Sequence, residues 1–249
     1  MILQTVWKEE TSVKAFEMDI LKRWKPASFF QTLQEAASNH ADHLGVGYQE
    51  MHSRDMAWIL SRLKVQFFEY PQLGDKVIIQ TWPKGLQQKL FFMRDFHLTA
   101  KDGRRFASAS SAWLLVNIKA RKLLMPNALY KPVPDNNGMA AIAEPLEKIN
   151  VPDGLPERLS MIAGYSAIDI MEHANNARYV EWICDCFPVE EWRRRTLSWI
   201  QVNYVNEVRP GERLSLGICP QEGDPNTWLV NGANLSTGMR AFEAALGWK

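Results

Sequence analysis

One pattern occurs twice in this chain, and it restricts the fold more than composition does. Leu63-Lys-Val-Gln-Phe67-Phe-Glu-Tyr-Pro-Gln-Leu-Gly74-Asp75-Lys-Val77 and Ile200-Gln-Val-Asn-Tyr204-Val-Asn-Glu-Val-Arg-Pro-Gly211-Glu212-Arg-Leu214 align at a separation of 137 residues. Both alternate apolar and polar positions, break at a glycine followed by an acid and a base, then resume. That is the pattern of a strand, a glycine turn and a return strand. A second pair, Gly103-Arg-Arg105-Phe-Ala107-Ser-Ala109 with Trp113 and Gly238-Met-Arg240-Ala-Phe242-Glu-Ala244 with Trp248, aligns at a separation of 135. Two independent segments at nearly one separation mark a duplicated unit.

A helix is expected ahead of each run of strands. In the first half Ser28 and Gln31 have capping-box spacing, Phe30, Leu33, Ala37, Ala41 and Leu44 keep a helical period, and Gly45 can end the helix. In the second half Val180, Ile183, Cys184 and Phe187 keep that period up to Pro188. An apolar helix after one strand, covered by several long antiparallel strands, reads as a hot-dog unit, in which the sheet wraps the helix. The expected fold is therefore α+β, with two tandem hot-dog units. Six of the 13 prolines lie in Met125 to Glu157, together with Asp135-Asn-Asn-Gly138, so a linker is placed there. The expected division is residues 1–130, a linker 131–158, and a second unit 159–249.

Composition excludes several classes. With 249 residues, 46% hydrophobic and 23% charged, the chain has ample core, and its interrupted apolar runs, such as Ser111-Ala-Trp-Leu-Leu-Val116, are too short for a spanning helix of about 20 residues. A net charge of +1 gives no overall pull toward nucleic acid or anionic membrane. Cys184, Cys186 and Cys219 are odd in number, and the close pair is C-x-C, a spacing that suits neither a disulfide framework nor a zinc site. The first residues have neither secretory nor transit-peptide composition, so a cytoplasmic location is expected.

Candidate chemistry concentrates in Asp169-Ile-Met-Glu-His173-Ala-Asn175-Asn176-Ala-Arg-Tyr179. A carboxylate, an imidazole and two carboxamides fall within eight residues at an expected helix start. Unpaired N–H groups and the positive end of the helix dipole can there receive a carbonyl oxygen that becomes negative during acyl transfer. Helix capping by the asparagines is the competing structural role.

This segment, together with Leu33-Gln-Glu-Ala-Ala-Ser-Asn39-His40, Tyr70-Pro-Gln-Leu-Gly-Asp75, Thr81-Trp82, Arg94-Asp95 and Ala109-Ser-Ser-Ala-Trp113, resembles in order the blocks of the plant and bacterial acyl-acyl carrier protein thioesterases, which are double hot-dog enzymes. The segment around His173 is also similar to hot-dog acyl-CoA thioesterases of the 4-hydroxybenzoyl type. The first resemblance implies hydrolysis of fatty acyl-acyl carrier protein to free fatty acid, ending elongation, with no metal or organic cofactor. It carries the family's catalytic residues onto Asp169, His173 and Glu207.

Two positions depart from the plant members, which have an asparagine where Met171 stands and a cysteine where Val208 stands. A nucleophilic cysteine at that position is therefore ruled out, and water activated by a carboxylate is the simplest scheme. Glu207 is placed as base, with burial beside Val205 and Val208 expected to raise its pKa, His173 as orienter and proton donor, and Asp169 as partner or alternative base. Amides near Asn175 and Asn176 are expected to hold the oxyanion and position substrate.

The first unit, which offers no histidine matching His173, is expected to hold the acyl chain. Trp58, Phe67, Trp82, Phe91, Phe92 and Met93 read chiefly as core. For an acidic carrier protein the candidate docking charges are Arg193, Arg194 and Arg195, then Lys119, Arg121 and Lys122, and Arg104 with Arg105. An acyl-CoA thioesterase and a non-catalytic acyl-binding module remain as alternatives, and homodimer formation and chain-length preference stay open.

Overall fold

A computed structural model describes residues 4–136 and 138–249, so the first three positions of the expected first unit and one position of the expected linker lie outside the described residues. The chain divides into two compact units. One takes the residues to Lys25 with Gln31–Leu146, the other Pro26–Phe30 with Glu147–Lys249.

The first unit runs β1 (Trp7–Ser12), α1 (Pro26–Leu44, whose first five residues are counted with the other unit), α2 (Tyr48–His52), β2 (Met56–Phe67), β3 (Lys76–Gln87), β4 (Phe91–Thr99), β5 (Arg105–Asn117) and β6 (Lys122–Leu124). Its antiparallel sheet has the order β1-β3-β4-β5-β2, with β6 folded back on β5. The helix starts earlier than its sequence suggests. Pro26 takes the first helical position, where its missing N–H costs nothing, and Ser28 is buried inside the helix, so no capping box forms there. Gly45 does end it, in the left-handed conformation at φ +73°. The end of α1 packs on the sheet through a cluster of Leu44, Val46, Met51 and Leu115 with Trp58 and Phe92. Phe67, Trp82, Phe91 and Met93 are buried, as core residues should be.

The second unit runs β7 (Glu157–Ile162), α3 (Asn176–Asp185), α4 (Val189–Arg194), β8 (Leu197–Tyr204), β9 (Arg213–Gln221), β10 (Asp224–Asn234) and β11 (Met239–Trp248). Its order, β7-β9-β10-β11-β8, repeats that of the first unit strand for strand. On α3 the buried Tyr179 meets Tyr204 of β8 and Phe242 of β11 edge to face, both with centroids 5.3 Å away. Each unit is thus a long antiparallel sheet with an apolar helix on it, the expected hot-dog arrangement.

The proline-rich segment is bound along its length. In the first unit Trp82 Nε1 donates to the Met139 carbonyl at 3.2 Å, the Ala141 N–H to Asp95 Oδ2 at 2.7 Å and Arg62 to the Leu146 carbonyl at 2.8 Å. In the second, Gln201 Nε2 donates to the Glu147 carbonyl at 2.7 Å and Arg240 to that of Val151 at 3.1 Å. Ile142, Leu146 and Val151 are buried. The segment is a strap, because its carbonyls and apolar side chains find partners on the sheets.

Candidate active site

The turn between β7 and α3 carries most of the candidate residues. A single 3-10 turn, Tyr165–Ala167, leads into Asp169, whose N–H donates to the His173 carbonyl at 2.9 Å and so closes a tight loop. Glu172 takes the left-handed conformation at φ +62°, which lets the chain reverse within that loop. The Asp169 carboxylate braces it from inside. Its Oδ1 accepts the Met171 N–H at 2.9 Å and its Oδ2 the Asn175 amide at 3.2 Å.

Glu207 comes from a second loop. It does not sit in a strand but three residues beyond the end of β8, in the loop that leads to β9. Backbone bonds hold the two loops together, since the Ala174 N–H donates to the Val208 carbonyl at 2.8 Å and the Gly211 N–H to that of Ala163 at 2.8 Å. Val208 is fully buried and anchors the loop, and the adjacent Glu207 side chain points the other way and stays 53% exposed. The expected burial of Glu207 is therefore corrected, because Val205 is exposed and apolar cover is missing on that side. The result is a close pair: His173 Nε2 lies 3.0 Å from Glu207 Oε2, with the imidazole 27% exposed.

Asn175 is the N-cap of α3. Its Oδ1 accepts the Ala177 N–H at 3.0 Å and its amide is tied to Asp169, so both ends of the side chain are committed to the turn. The amides of Ala174, Asn175, Ala177 and Arg178 all have protein acceptors. The Asn176 N–H has none among the hydrogen bonds of the described residues, which leaves it available to an incoming oxygen at the positive end of the helix. Asn176 also receives the Tyr204 hydroxyl on its carbonyl at 3.0 Å.

The other candidates lie elsewhere. Arg193 and Arg194 are on α4, a separate short helix after Pro188 and not the end of α3, and Arg195 pairs with Glu191 at 3.5 Å. They precede β8, and Glu207 follows it, so the eight residues of that strand, at about 3.3 Å each, separate them by roughly 25 Å. Phe187 is buried beyond the end of α3, not on it. Burial pushes the Cys184 thiol far up and that of Cys186 up to about 12, helped in each case by the Asp185 charge, so neither is a ready nucleophile.

In the first unit His40 is fully buried between Arg94, 2.9 Å from its Nδ1, and the Gln4 carbonyl at 2.9 Å, and Arg94 also donates to Thr81 at 3.1 Å. Burial, then the Arg94 charge, lowers the His40 pKa to about 4, so the ring is neutral and structural. Asn39 donates to Glu9 at 3.0 Å. Among the described residues no group of three His, Cys, Asp or Glu side chains is placed to hold a metal ion.

Residues 4–131 match the profile of the acyl-ACP thioesterase N-terminal domain, and residues 156–244 that of its C-terminal domain. The chain belongs to the acyl-ACP thioesterase family. Relatives include a chloroplastic acyl-acyl-carrier-protein hydrolase of Cuphea viscosissima, 24% identical over 93% of this chain and 61% of the relative. A chloroplastic palmitoyl-acyl carrier protein thioesterase of Arabidopsis thaliana is 26% identical over 81% of this chain and 52% of the relative. The chain thus spans about half to two thirds of the length of these relatives. Among solved structures, an acyl-ACP thioesterase from Bacteroides thetaiotaomicron superposes with a TM-score of 0.89 at 25% identity, covering 98% of both chains. A 12:0-ACP thioesterase from Umbellularia californica gives 0.80 at 21% identity over 99% of this chain and 98% of that one, which supports the double hot-dog fold.

Proposed function

We propose that the protein hydrolyses the thioester of fatty acyl-acyl carrier protein, releasing free fatty acid and carrier protein. The observation that carries this reading is the 3.0 Å approach of His173 to Glu207 beside a helix start with an available amide. Family membership supports it. Glu207 takes a proton from water as the water oxygen bonds to the acyl carbon. The oxygen of the former carbonyl becomes an oxyanion, received by the Asn176 N–H. When the intermediate collapses the C–S bond breaks, and the thiolate receives a proton by way of His173. Water is consumed, and an acid and a thiol are formed, in balance.

The acidic carrier protein docks, on this reading, at the end of the second unit that bears the site. Arg209 and Arg213 are exposed there and meet no acidic side chain among the described ion pairs, and Tyr165, Ile170 and Met171 add exposed apolar surface. A cytoplasmic location belongs to the same proposal, whereas the plant relatives are named as chloroplastic proteins. The test is fatty acid release from a panel of acyl-carrier-protein substrates, with the same chains on CoA as comparison. Faster turnover on the carrier protein is expected, and a clear CoA preference selects the acyl-CoA reading instead.

A further inference from the structure

The Asp169 turn has a twin. In the first unit a 3-10 turn, Ala15–Glu17, leads into Asp19, and the chain then reverses into α1 as the other does into α3. The isolated bridge Met18↔Trp24 matches Ile168↔Ala174, and Lys22 at φ +58° matches Glu172 at φ +62°. Asp19 N–H donates to the Arg23 carbonyl at 2.8 Å, as Asp169 N–H does to that of His173 at 2.9 Å. Asp19 Oδ1 accepts the Leu21 N–H at 2.8 Å, as Asp169 Oδ1 accepts that of Met171 at 2.9 Å.

The chemistry, by contrast, is not duplicated. Arg23 stands where His173 does, held by Asp19 Oδ2 at 2.9 Å. The separation of 137 residues that relates the strands puts Tyr70 where Glu207 stands, and the Arg23 guanidinium lies 5.7 Å over its ring. The first unit is therefore an internal control. It keeps the carboxylate and the turn while lacking the imidazole and the second carboxylate.

From this we infer that Asp169 is a positioning residue that folds the turn presenting His173, and that Glu207 alone is the base. The inference rests on the hydrolase reading above. Both Asp169 oxygens already accept protein hydrogen bonds, and the Oδ1 of the matching carboxylate, Asp19, does the same work in a loop with no proton chemistry to perform. Asparagine retains the Oδ1 acceptor that the turn uses, whereas alanine does not.

The test compares Asp169→Asn, Asp169→Ala and Glu207→Gln on acyl-carrier-protein substrate, with Asp19→Asn and Asp19→Ala as controls, reading kcat, KM, the pH profile of kcat/KM and Tm. Asp169→Asn is expected to keep kcat within about tenfold, with the acid limb unmoved, while Glu207→Gln loses about 100-fold or more and with it that limb. Asp169→Ala and Asp19→Ala are expected to lower Tm alike, with kcat falling only for the first. Asp169→Asn as impaired as Glu207→Gln, or an acid limb that moves with Asp169, overturns the inference and leaves the hydrolase reading intact. Undiminished turnover in Glu207→Gln overturns both.

Discussion

At the scale of single residues the chain separates the groups proposed to do chemistry from groups that hold shape. His173 and Glu207 meet at 3.0 Å and are partly exposed, whereas the His40 imidazole is enclosed and neutral. Replacing His173 by Ala should lower kcat by about 100-fold or more with little change in Tm, because general acid–base groups contribute about 10²–10⁴ and this side chain carries little packing. A loss of Tm large enough to account for the lost activity would make His173 structural. The cysteines yield a contrasting expectation. Thiol alkylation of the native protein near pH 7.5, followed by mass spectrometry, should spare Cys184 and Cys186, whose thiols burial holds protonated, and leave turnover unchanged. Much of this site was legible in the sequence, because Asp169, His173, Asn175 and Asn176 fall within one short segment. What was not legible was the exposure of Glu207, which depends on the buried Val208 turning its neighbour outward, and the commitment of the Asn175 side chain to capping.

At the scale of elements the two duplicated hairpins announced the strands correctly, since alternation and a glycine turn are local signals. The helix boundaries were less readable. Pro26 starts α1 where Ser28 had suggested a cap, and α3 ends at Asp185, before Phe187, with Pro188 capping the separate α4 that carries Arg193 and Arg194. The twin of the Asp169 turn was also hidden, although Asp-Ile recurs 150 residues apart at Asp19 and Asp169. The longer α1 shifts the separation to 137 before the strands begin, and a search for a matching histidine meets Arg23 instead. One close contact in the second unit is directly testable. Gly232 of β10 lies opposite Phe242 of β11, and a Cβ there would come within 2.0 Å of the ring. Gly232→Ala should therefore cost at least about 2 kcal/mol in denaturant unfolding, since the ring it displaces is the one packed on Tyr179. A change under about 0.5 kcal/mol would mean that the sheet accommodates the methyl without disturbing α3.

At the scale of the whole molecule, duplication allows one unit to specialise while both keep the same frame. The first unit retains the turn but buries a polar cluster in which Arg94 stays charged and the His40 imidazole is neutral, and this has a consequence for stability. Burial, followed by the charge of Arg94, lowers the pKa of His40 to about 4, and burial followed by the charge of Arg105 does the same to His97 on β4, against about 6.5 in the unfolded chain. Between those values the unfolded state binds more protons, so stability should fall as pH drops from about 6.5 to about 4 and be unaffected by these groups above that window. Urea midpoints measured across it should show the decline, and His40→Gln should flatten part of the slope. An unchanged slope would mean that His40 is not held neutral.

Docking is tested at the same scale. Arg209→Glu with Arg213→Glu should raise KM for the carrier-protein substrate by about tenfold at low salt, and Arg193→Glu should not, because only the first pair lies at the site end of β8. The central claim is tested most directly by the rate of fatty acid release from acyl-carrier-protein substrates by the wild-type protein and by Glu207→Gln. Turnover is expected in the first and a loss of about 100-fold or more in the second, with the fold intact. Wild-type protein that hydrolyses no acyl-carrier-protein substrate, or a Glu207→Gln variant within about twofold of it, would contradict the account.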